Sequence, residues 1–316
     1  MTKDREHSPA PEGPYRAMAR LYDQQLRLFA AHYSNMWDGR SNSAAVVSAY
    51  FHELVDLSHP ALFVEAGAYR AEASRRTREM HPDCRVVAFE ANPYNYEKYV
   101  DELGFAGLGI EYLHLALTES AGPVTFHLRS RQDGQDLRRT TGNSSLLRMK
   151  GTDTEYEEIS VDGVTLDGFF ADSSAPVCLW IDVEGASRQV LHGARNLLAR
   201  TELVLIEVEE VFRWEDQWRS LDVIEFFLEA GFLPLTRDAE YNQHYNIIFV
   251  RADVYERPEV LWSHELHTNY VTQHMGVRHA EERPDPDPAD PAVTAQPDAA
   301  RSGRRRKPWG RSSHGS

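Results

Sequence analysis

LFVEAGAYRAEAS, residues 62–74, runs as an apolar strand that ends on an acid, turns at a glycine and continues with helical spacing. Downstream, short and nearly continuous apolar runs recur between helical stretches: VVAFE, IEYLHLAL, VCLWID, LVLIEV, FLPL and NIIFV. Runs that are apolar on both faces belong to a parallel sheet buried between two layers of helices. The fold class is therefore α/β, a doubly wound and mostly parallel sheet with helices on both faces, over residues 58–252.

Around this domain the pattern changes. Residues 1–57 form an N-terminal helical extension: Met18, Leu21, Tyr22, Leu26, Phe29 and Tyr33 recur at helical steps, and so do Val46, Val47, Tyr50, Phe51, Leu54 and Val55, with Ser43 as the expected cap. A polar insert at 118–176 alternates in GPVTFHL and EEISVDGVTL, which predicts one or two short antiparallel strands around a loop. Residues 253–280 form a C-terminal extension. Residues 281–316 are rich in proline and charge and poor in aliphatic side chains, so they are expected to be a disordered tail. Its basic end is expected to be solvated.

The 316 residues carry 49 acids against 34 Lys and Arg, a formal charge of −15. No basic field favours nucleic acid, and no run has the length of a membrane span. The two cysteines, Cys84 and Cys178, sit in or beside apolar runs, as reduced core thiols do. With no signal-peptide pattern at the start, the expected location is cytoplasmic. Oligomeric state is not readable.

In a doubly wound sheet a ligand lies across the carboxyl ends of the strands where their order reverses. Glu65 ends the first strand and Glu90 the second, in RVVAFEANP, where an acid accepts hydrogen bonds from ribose hydroxyls. A dinucleotide site needs several glycines to bring backbone N–H groups to a pyrophosphate, yet this turn has Gly67 alone, followed by Ala68, Tyr69, Arg70 and Ala71. Glu65 would also repel phosphates. A ligand with a ribose, no phosphate and a positive charge fits better, and S-adenosylmethionine has all three properties.

LWIDVEGASRQVLHGARNLL places Asp182 at the end of another run, with Glu184 and Gly185 after it. A carboxylate there is able to take the proton of an alcohol as a methyl group moves, whereas Glu184 also fits a plain helix start. In LVLIEVEE, one of Glu207, Glu209 and Glu210 is expected to face the site and the others to be solvated. His114 is either a base or an ordinary strand residue, and Asn143, Ser144 and Ser145 either bind substrate or form loop. No metal site is read: HELH at 264–267 lacks the H-E-x-x-H spacing.

Between residues 61 and 250 the motifs VEAGA, AFEANP, ALTESAGPVTF, NSSL, IDVEG, VLHGA, LIEV and NIIFV resemble, in this order, the FkbM-like methyltransferases. The resemblance implies a Rossmann-like class I methyltransferase fold, S-adenosylmethionine as cofactor and O-methylation of a small or glycosylated metabolite. It implies a first cofactor motif at Glu65, Gly67 and Ala68, a ribose acid at Glu90, and an adenine border at Ala116, Leu117 and Thr118; Tyr69 and Asn92, beside these residues, are expected to contact the cofactor as well. Asp182 and Glu184 fall at the methyl-transfer end, with Glu207 and the Asn143–Ser145 step on the acceptor side. Four positions depart from the family pattern, which usually has asparagine near Tyr69, glycine near Ala71, lysine at Trp180 and an acid at Ser187. The alternative reading is a non-catalytic, methyltransferase-like binding protein that presents an exposed patch of Trp214 and Trp218.

Overall fold

The runs ALFVE, VVAFE, VCLWID and LVLIEV bring acids to the carboxyl ends of their strands, and parallel pairing aligns those ends along one edge. A computed structural model describes residues 36–273 apart from 133, 139–141, 152–153 and 242, together with Ala17. The stripe at 18–33, His274 and the stretch from 281 onward lie outside the described residues.

In chain order the first half comprises helix α1 (Met36–Ser58), strand β1 (Leu62–Ala66), α2 (Glu72–Met80), β2 (Arg85–Phe89), α3 (Pro93–Glu102), α4 (Phe105–Leu108) and β3 (Ile110–Leu113). The insert contributes β4 (Ala116–Leu117), β5 (Gly122–Gln132), β6 (Gln135–Asp136), β7 (Glu155–Val164) and α5 (Leu166–Phe169). The second half adds β8 (Val177–Ile181), α6 (Ser187–His192), α7 (Arg195–Leu198), β9 (Thr201–Glu209) and α8 (Ser220–Glu229). It closes with β10 (Phe232–Arg237), β11 (His244–Arg251), α9 (Ala252–Tyr255) and α10 (Pro258–Gln273).

The main sheet has the order β10-β11-β9-β8-β1-β2-β3. Strands β1, β2, β3, β8 and β9 are parallel, while β11 runs antiparallel to both β9 and β10. From β1 the chain steps outward to β2 and β3, then returns to the other side of β1 for β8. The order thus reverses at β1, and there a crevice opens.

Side chains alternate across a strand, so each strand feeds two cores. Val64, Ala66, Phe89, Ile181 and Ile206 pack with Val190 and Leu191 of α6 and with Ile224 and Phe227 of α8. Phe63, Ala88, Cys178, Leu205 and Ile248 pack on the opposite face with Val47, Phe51, Leu54 and Val55 of α1. Cys84 and Cys178 are free and buried in this second layer. Helix α10 lies against α1, where the Tyr50 ring stacks on His267 at 3.9 Å and Ser263 donates to Glu53 at 2.6 Å.

Two expectations change. Helix α1 starts at Met36, which puts Ser43 inside it; instead of capping, the Ser43 hydroxyl accepts the Ala239 N–H at 2.9 Å and fastens the loop before β11. The insert is more regular than its polar sequence suggests. Strands β5 and β7 pair antiparallel from Gly122↔Gly163 to Arg131↔Glu155, and β4 joins β7 to give a sheet of order β4-β7-β5-β6. One face of that sheet buries Ala116, Phe126, Leu128 and Val161. Its other face carries polar side chains such as Thr125, His127 and Ser160, the alternation that predicts antiparallel strands here from sequence. No helix among the described residues is long and apolar enough to cross a membrane.

Leu54 is fully buried between α1 and the sheet. Leu54→Ala is expected to lower the unfolding free energy by about 3 kcal/mol in a urea titration, and a loss below about 1 kcal/mol would show that α1 is not part of this core.

Candidate active site

Alternation along the strands decides where the acids point. On the face covered by α1, β1 carries Phe63 and then Glu65, β2 carries Ala88 and then Glu90, and β8 carries Trp180 and then Asp182. On β9, Leu205 is followed by Glu207 and Glu209. One face of the sheet therefore turns from apolar to acidic as its strands reach their carboxyl ends.

The turn after β1 holds two of these acids. Gly67 has φ +76°, and a Cβ there would overlap the carbonyl oxygen of Asp182, so no other residue fits. The Gly67 and Ala68 N–H groups both donate to Phe89 O, at 3.0 and 2.9 Å, while Asp182 N donates to Ala66 O at 2.9 Å. Glu65 Oε2 accepts Ser74 N–H at 2.7 Å and so ties β1 to the first turn of α2. Glu90 accepts Tyr69 N–H on Oε2 and Asn92 N–H on Oε1, both at 2.7 Å. Asn92 in turn caps α3 through Tyr94 N–H at 3.0 Å. Burial pushes the Glu65 and Glu90 carboxyls up to about 7 against the pull of these hydrogen bonds.

Tyr69 and Ala71 both adopt left-handed backbone, with φ +45° and +49°. At the position where the family favours glycine, the backbone thus keeps the conformation glycine would supply. The Tyr69 hydroxyl receives a hydrogen bond from Tyr99 at 3.0 Å.

Two clefts meet at this turn. The first encloses about 530 Å³ with its open mouth and is lined at one end by Glu90, Ala91, Leu115, Ala116, Leu117 and Phe126. Ser144, Ser145 and Leu146 of the insert line it too, along with Glu184. The second, about 1460 Å³ on the same measure, lies under α1 and is lined by Ser48, His52, Arg76, Trp180, Glu207, Asp238 and Glu240 among others. Gly67, Tyr69 and Asp182 line both.

Carboxylate oxygens of Asp182, Glu184 and Glu207 come within 4.8 Å of one another, and His244 Nε2 faces Glu207 Oε1. Burial raises the proton affinity of all three acids, and mutual repulsion adds to it for Glu184 and Glu207. Glu184 is pushed up to about 8. His244, buried and near Arg213, is lowered to about 4 and stays neutral.

The Asp182–Gly185 segment is clamped from two sides. Glu184 has φ +50° and Gly185 φ +82°. Ser145 Oγ donates to Glu184 O at 2.7 Å, and the Trp214 indole fills the space a side chain at Gly185 would need. Trp214 Nε1 donates to Glu209 Oε1 at 3.1 Å and Gln217 Nε2 to Glu209 Oε2 at 3.2 Å. The loop that carries Trp214 pairs with the insert through Lys150 N–H to Arg213 O and Glu215 N–H to Arg148 O, at 2.7 and 2.9 Å.

These contacts correct two expectations. Trp214 is buried, and Trp218 packs half-buried on Phe226 and His192, so they form no exposed patch. Glu209 is buried rather than solvated, because Trp214 and Gln217 give its oxygens partners that replace water. Glu210 pairs with Arg237 at 3.2 Å.

Of the residues expected to contact cofactor or substrate, Asn92, His114, Thr118 and Asn143 line neither cleft. His114 Nε2 meets Ala91 O at 3.1 Å and its ring stacks on Tyr96. Thr118 donates to Ser120 O at 2.6 Å, and Asn143 adjoins the first cleft without lining it. Conversely, sequence reasoning passed over Phe126, Leu146, His52, Asp238 and Glu240, and singled out Trp180 only as a departure from the family pattern. The alternation of GPVTFHL was the one signal for Phe126; the others need the tertiary fold.

Sheet order, strand-end acids and the glycine turn together define a Rossmann-like class I methyltransferase fold, with S-adenosylmethionine as cofactor. The chain belongs to the Methyltransferase FkbM domain family, which it matches over residues 65–234. It is similar to the 2-O-methyltransferase NoeI of Sinorhizobium fredii, at 22% identity over 202 residues that cover 61% of this chain and 79% of NoeI. Among solved structures it is similar to methyltransferase FkbM from Methylobacillus flagellatus KT, with 15% identity and a TM-score of 0.37 over 59% of this chain. That match spans only 42% of the Methylobacillus chain. The magnesium protoporphyrin IX methyltransferase of Synechocystis PCC 6803 aligns over 77% of this chain and 99% of its own, with 11% identity and a TM-score of 0.36.

The raised carboxyls set a pH dependence with a definite sign. A carboxyl whose folded value lies near 7 holds a proton that the unfolded chain releases nearer 4.5, so stability is full below the lower value and falls as pH rises through about 7. Urea unfolding of the ligand-free chain is expected to show lower stability at pH 7.5 than at pH 5.5. Buried neutral His52, His244 and His267 act in the opposite sense over the lower part of this range, so the decisive comparison is with Glu90→Gln, which should flatten the slope in part; an unchanged slope in that variant would contradict the burial of Glu90.

Proposed function

We propose that the chain transfers the methyl group of S-adenosylmethionine to a hydroxyl oxygen of a small or glycosylated metabolite, with cofactor in the first cleft and acceptor in the second. The observation that carries this is the meeting of the two clefts at Gly67, Tyr69 and Asp182. A donor methyl and an acceptor oxygen have to meet, and only that junction adjoins both spaces.

The residues of the first cleft fit the cofactor. Glu90 accepts backbone N–H groups on both oxygens and a side-chain hydrogen bond from Asn95, and its remaining acceptor capacity is able to hold a ribose hydroxyl. Tyr69 and Asn92 aim it through their backbone. Leu115, Ala116, Leu117 and Phe126 supply apolar surface for a purine, and Thr118 steadies the end of β4 by donating its N–H to Val164 O at 2.9 Å. Gly67 lines this cleft at the methionine end, in a turn whose Glu65 and Ala68 face the second cleft. When bound, the cofactor supplies a methyl group on a cationic sulfur, and the surrounding carboxylates suit that charge.

Asp182 is the residue that takes or orients the acceptor proton. Desolvation raises its affinity for a proton, the direction a general base at neutral pH requires. Glu184 and Glu207 stand beside it and keep the group from losing every proton at once. Positioning supplies most of the rate, as Ser144 and Ser145 close the first cleft and α1 closes the second. His114, tied to Ala91 O, is given no catalytic part. The name of NoeI supports oxygen as the receiving atom. The non-catalytic alternative loses its main support with the burial of Trp214.

Calorimetry with S-adenosylhomocysteine is expected to show binding that Glu90→Ala weakens about tenfold or more, a loss of roughly 1.4 kcal/mol. Asp182→Asn should retain that binding but lower methyl transfer to a hydroxylated acceptor about 100-fold. Unchanged affinity in Glu90→Ala would remove the ribose assignment, and full activity in Asp182→Asn would remove the base.

A further inference from the structure

The second cleft carries chemistry that methyl transfer alone does not use. His52 lines it from α1; the residue is 1% exposed, and its Nδ1 is buried at the cleft wall without a hydrogen-bond partner. A buried polar atom left unpaired costs on the order of 1–3 kcal/mol, and a ligand that bonds to it recovers that cost. The ring lies near-parallel to Trp180 at 6.0 Å, so it has a fixed orientation. The imidazole is neutral, because burial and then Arg76 lower it to about 3, so it pairs with a hydroxyl more readily than with a full charge.

The charge of the lining is lopsided. Asp182, Glu207, Asp238 and Glu240 face the cleft from the strand ends, Glu65 from β1 and Glu72 from α2, and burial raises the proton affinity of Glu65, Asp182, Glu207, Asp238 and Glu240, so they ionise fully only toward alkaline pH. Against them stand Arg70, 3.9 Å from Glu72, and Arg76. At a pH where these acids ionise, an anionic acceptor would enter against net negative charge, and repulsion would oppose it. A cationic group at the strand-end side would instead be held by several carboxylates while a hydroxyl reaches His52.

We infer that the second cleft takes an acceptor bearing several hydroxyls and a protonated amine, the chemistry of an amino polyol or amino sugar, and excludes phosphorylated or carboxylated ones. This rests on the proposed function, since it names the acceptor class for that site. The amine sits toward Glu207 and Glu240, a hydroxyl pairs with His52, and a second hydroxyl lies by Asp182 to receive the methyl group.

The test is saturation-transfer NMR on the full chain saturated with S-adenosylhomocysteine, with EDTA present and at mildly alkaline pH. The probes are 1-amino-1-deoxysorbitol, sorbitol and sorbitol 6-phosphate, which share one carbon chain. The amine is expected to give a signal at least about threefold above sorbitol, the phosphate none, and added salt should reduce the preference. Ser48→Trp, which fills the cleft from α1, should abolish the amine signal while S-adenosylhomocysteine affinity stays within about twofold. Glu240→Gln, a milder change, should reduce it and serves if Ser48→Trp does not fold.

The inference is overturned by absence of an amine signal, by a phosphate signal equal to it, or by an amine signal that survives both substitutions, which would mean loose attraction to an acidic surface. An amine signal that appears only when EDTA is replaced by magnesium would assign the positive charge to a divalent cation and overturn it too. If the wild-type chain fails to bind S-adenosylhomocysteine, the cofactor assignment falls separately, and the same probes on the ligand-free chain still decide the acceptor class.

Discussion

The close passage of Gly67 against the Asp182 carbonyl is the contact on which the site depends. With any side chain at 67, β1 and β8 would have to move apart at their carboxyl ends. That passage lets the turn fold back so that Tyr69 N–H reaches Glu90, and it keeps Asp182 N–H on Ala66 O. Three strands are joined in this way by backbone hydrogen bonds at one level, and the acids that follow each strand inherit their positions from that joint. The left-handed backbone at Tyr69 and Ala71 costs roughly 1–2 kcal/mol per residue, and the same joint holds it in place.

A second constraint follows from strand alternation. Because Glu65, Glu90, Asp182, Glu207 and Glu209 share a face, the fold gathers buried acids at the carboxyl ends of its strands, beside the clefts that α1 and the insert help to line. Hydrogen bonds from backbone N–H groups and from Trp214 and Gln217 satisfy some of these oxygens, and protons neutralise others. The same crowding makes the ligand-free state electrostatically uncomfortable and favours ligands that bring positive charge or hydroxyl donors.

Much of this was legible in the sequence, because strand ends announce themselves: ALFVE, VVAFE and VCLWID each stop on the acid that the sheet then places in the crevice. The order of the runs was enough for a doubly wound fold with a single glycine turn. What stayed hidden depends on contacts between distant segments. Ser43 reads as a cap until Ala239, 196 positions away, takes its hydroxyl. Trp214 reads as exposed in VFRWEDQWRS until Gly185 makes room for its ring. His52 is one more polar residue on an amphipathic helix, and only the packing of α1 over the strand ends turns it toward a cleft.

The clamp on the Asp182–Gly185 segment has a consequence for how such a chain is rebuilt. Ser145 comes from the insert and Trp214 from the loop after β9, yet Lys150 and Arg213, with Arg148 and Glu215, bind those two segments to each other. They behave as one interchangeable part cut into two pieces of sequence. A chimaera that grafts a relative's insert alone would import one jaw of the clamp without its mate, so a graft meant to alter acceptor choice has to carry residues 142–150 and 210–219 together.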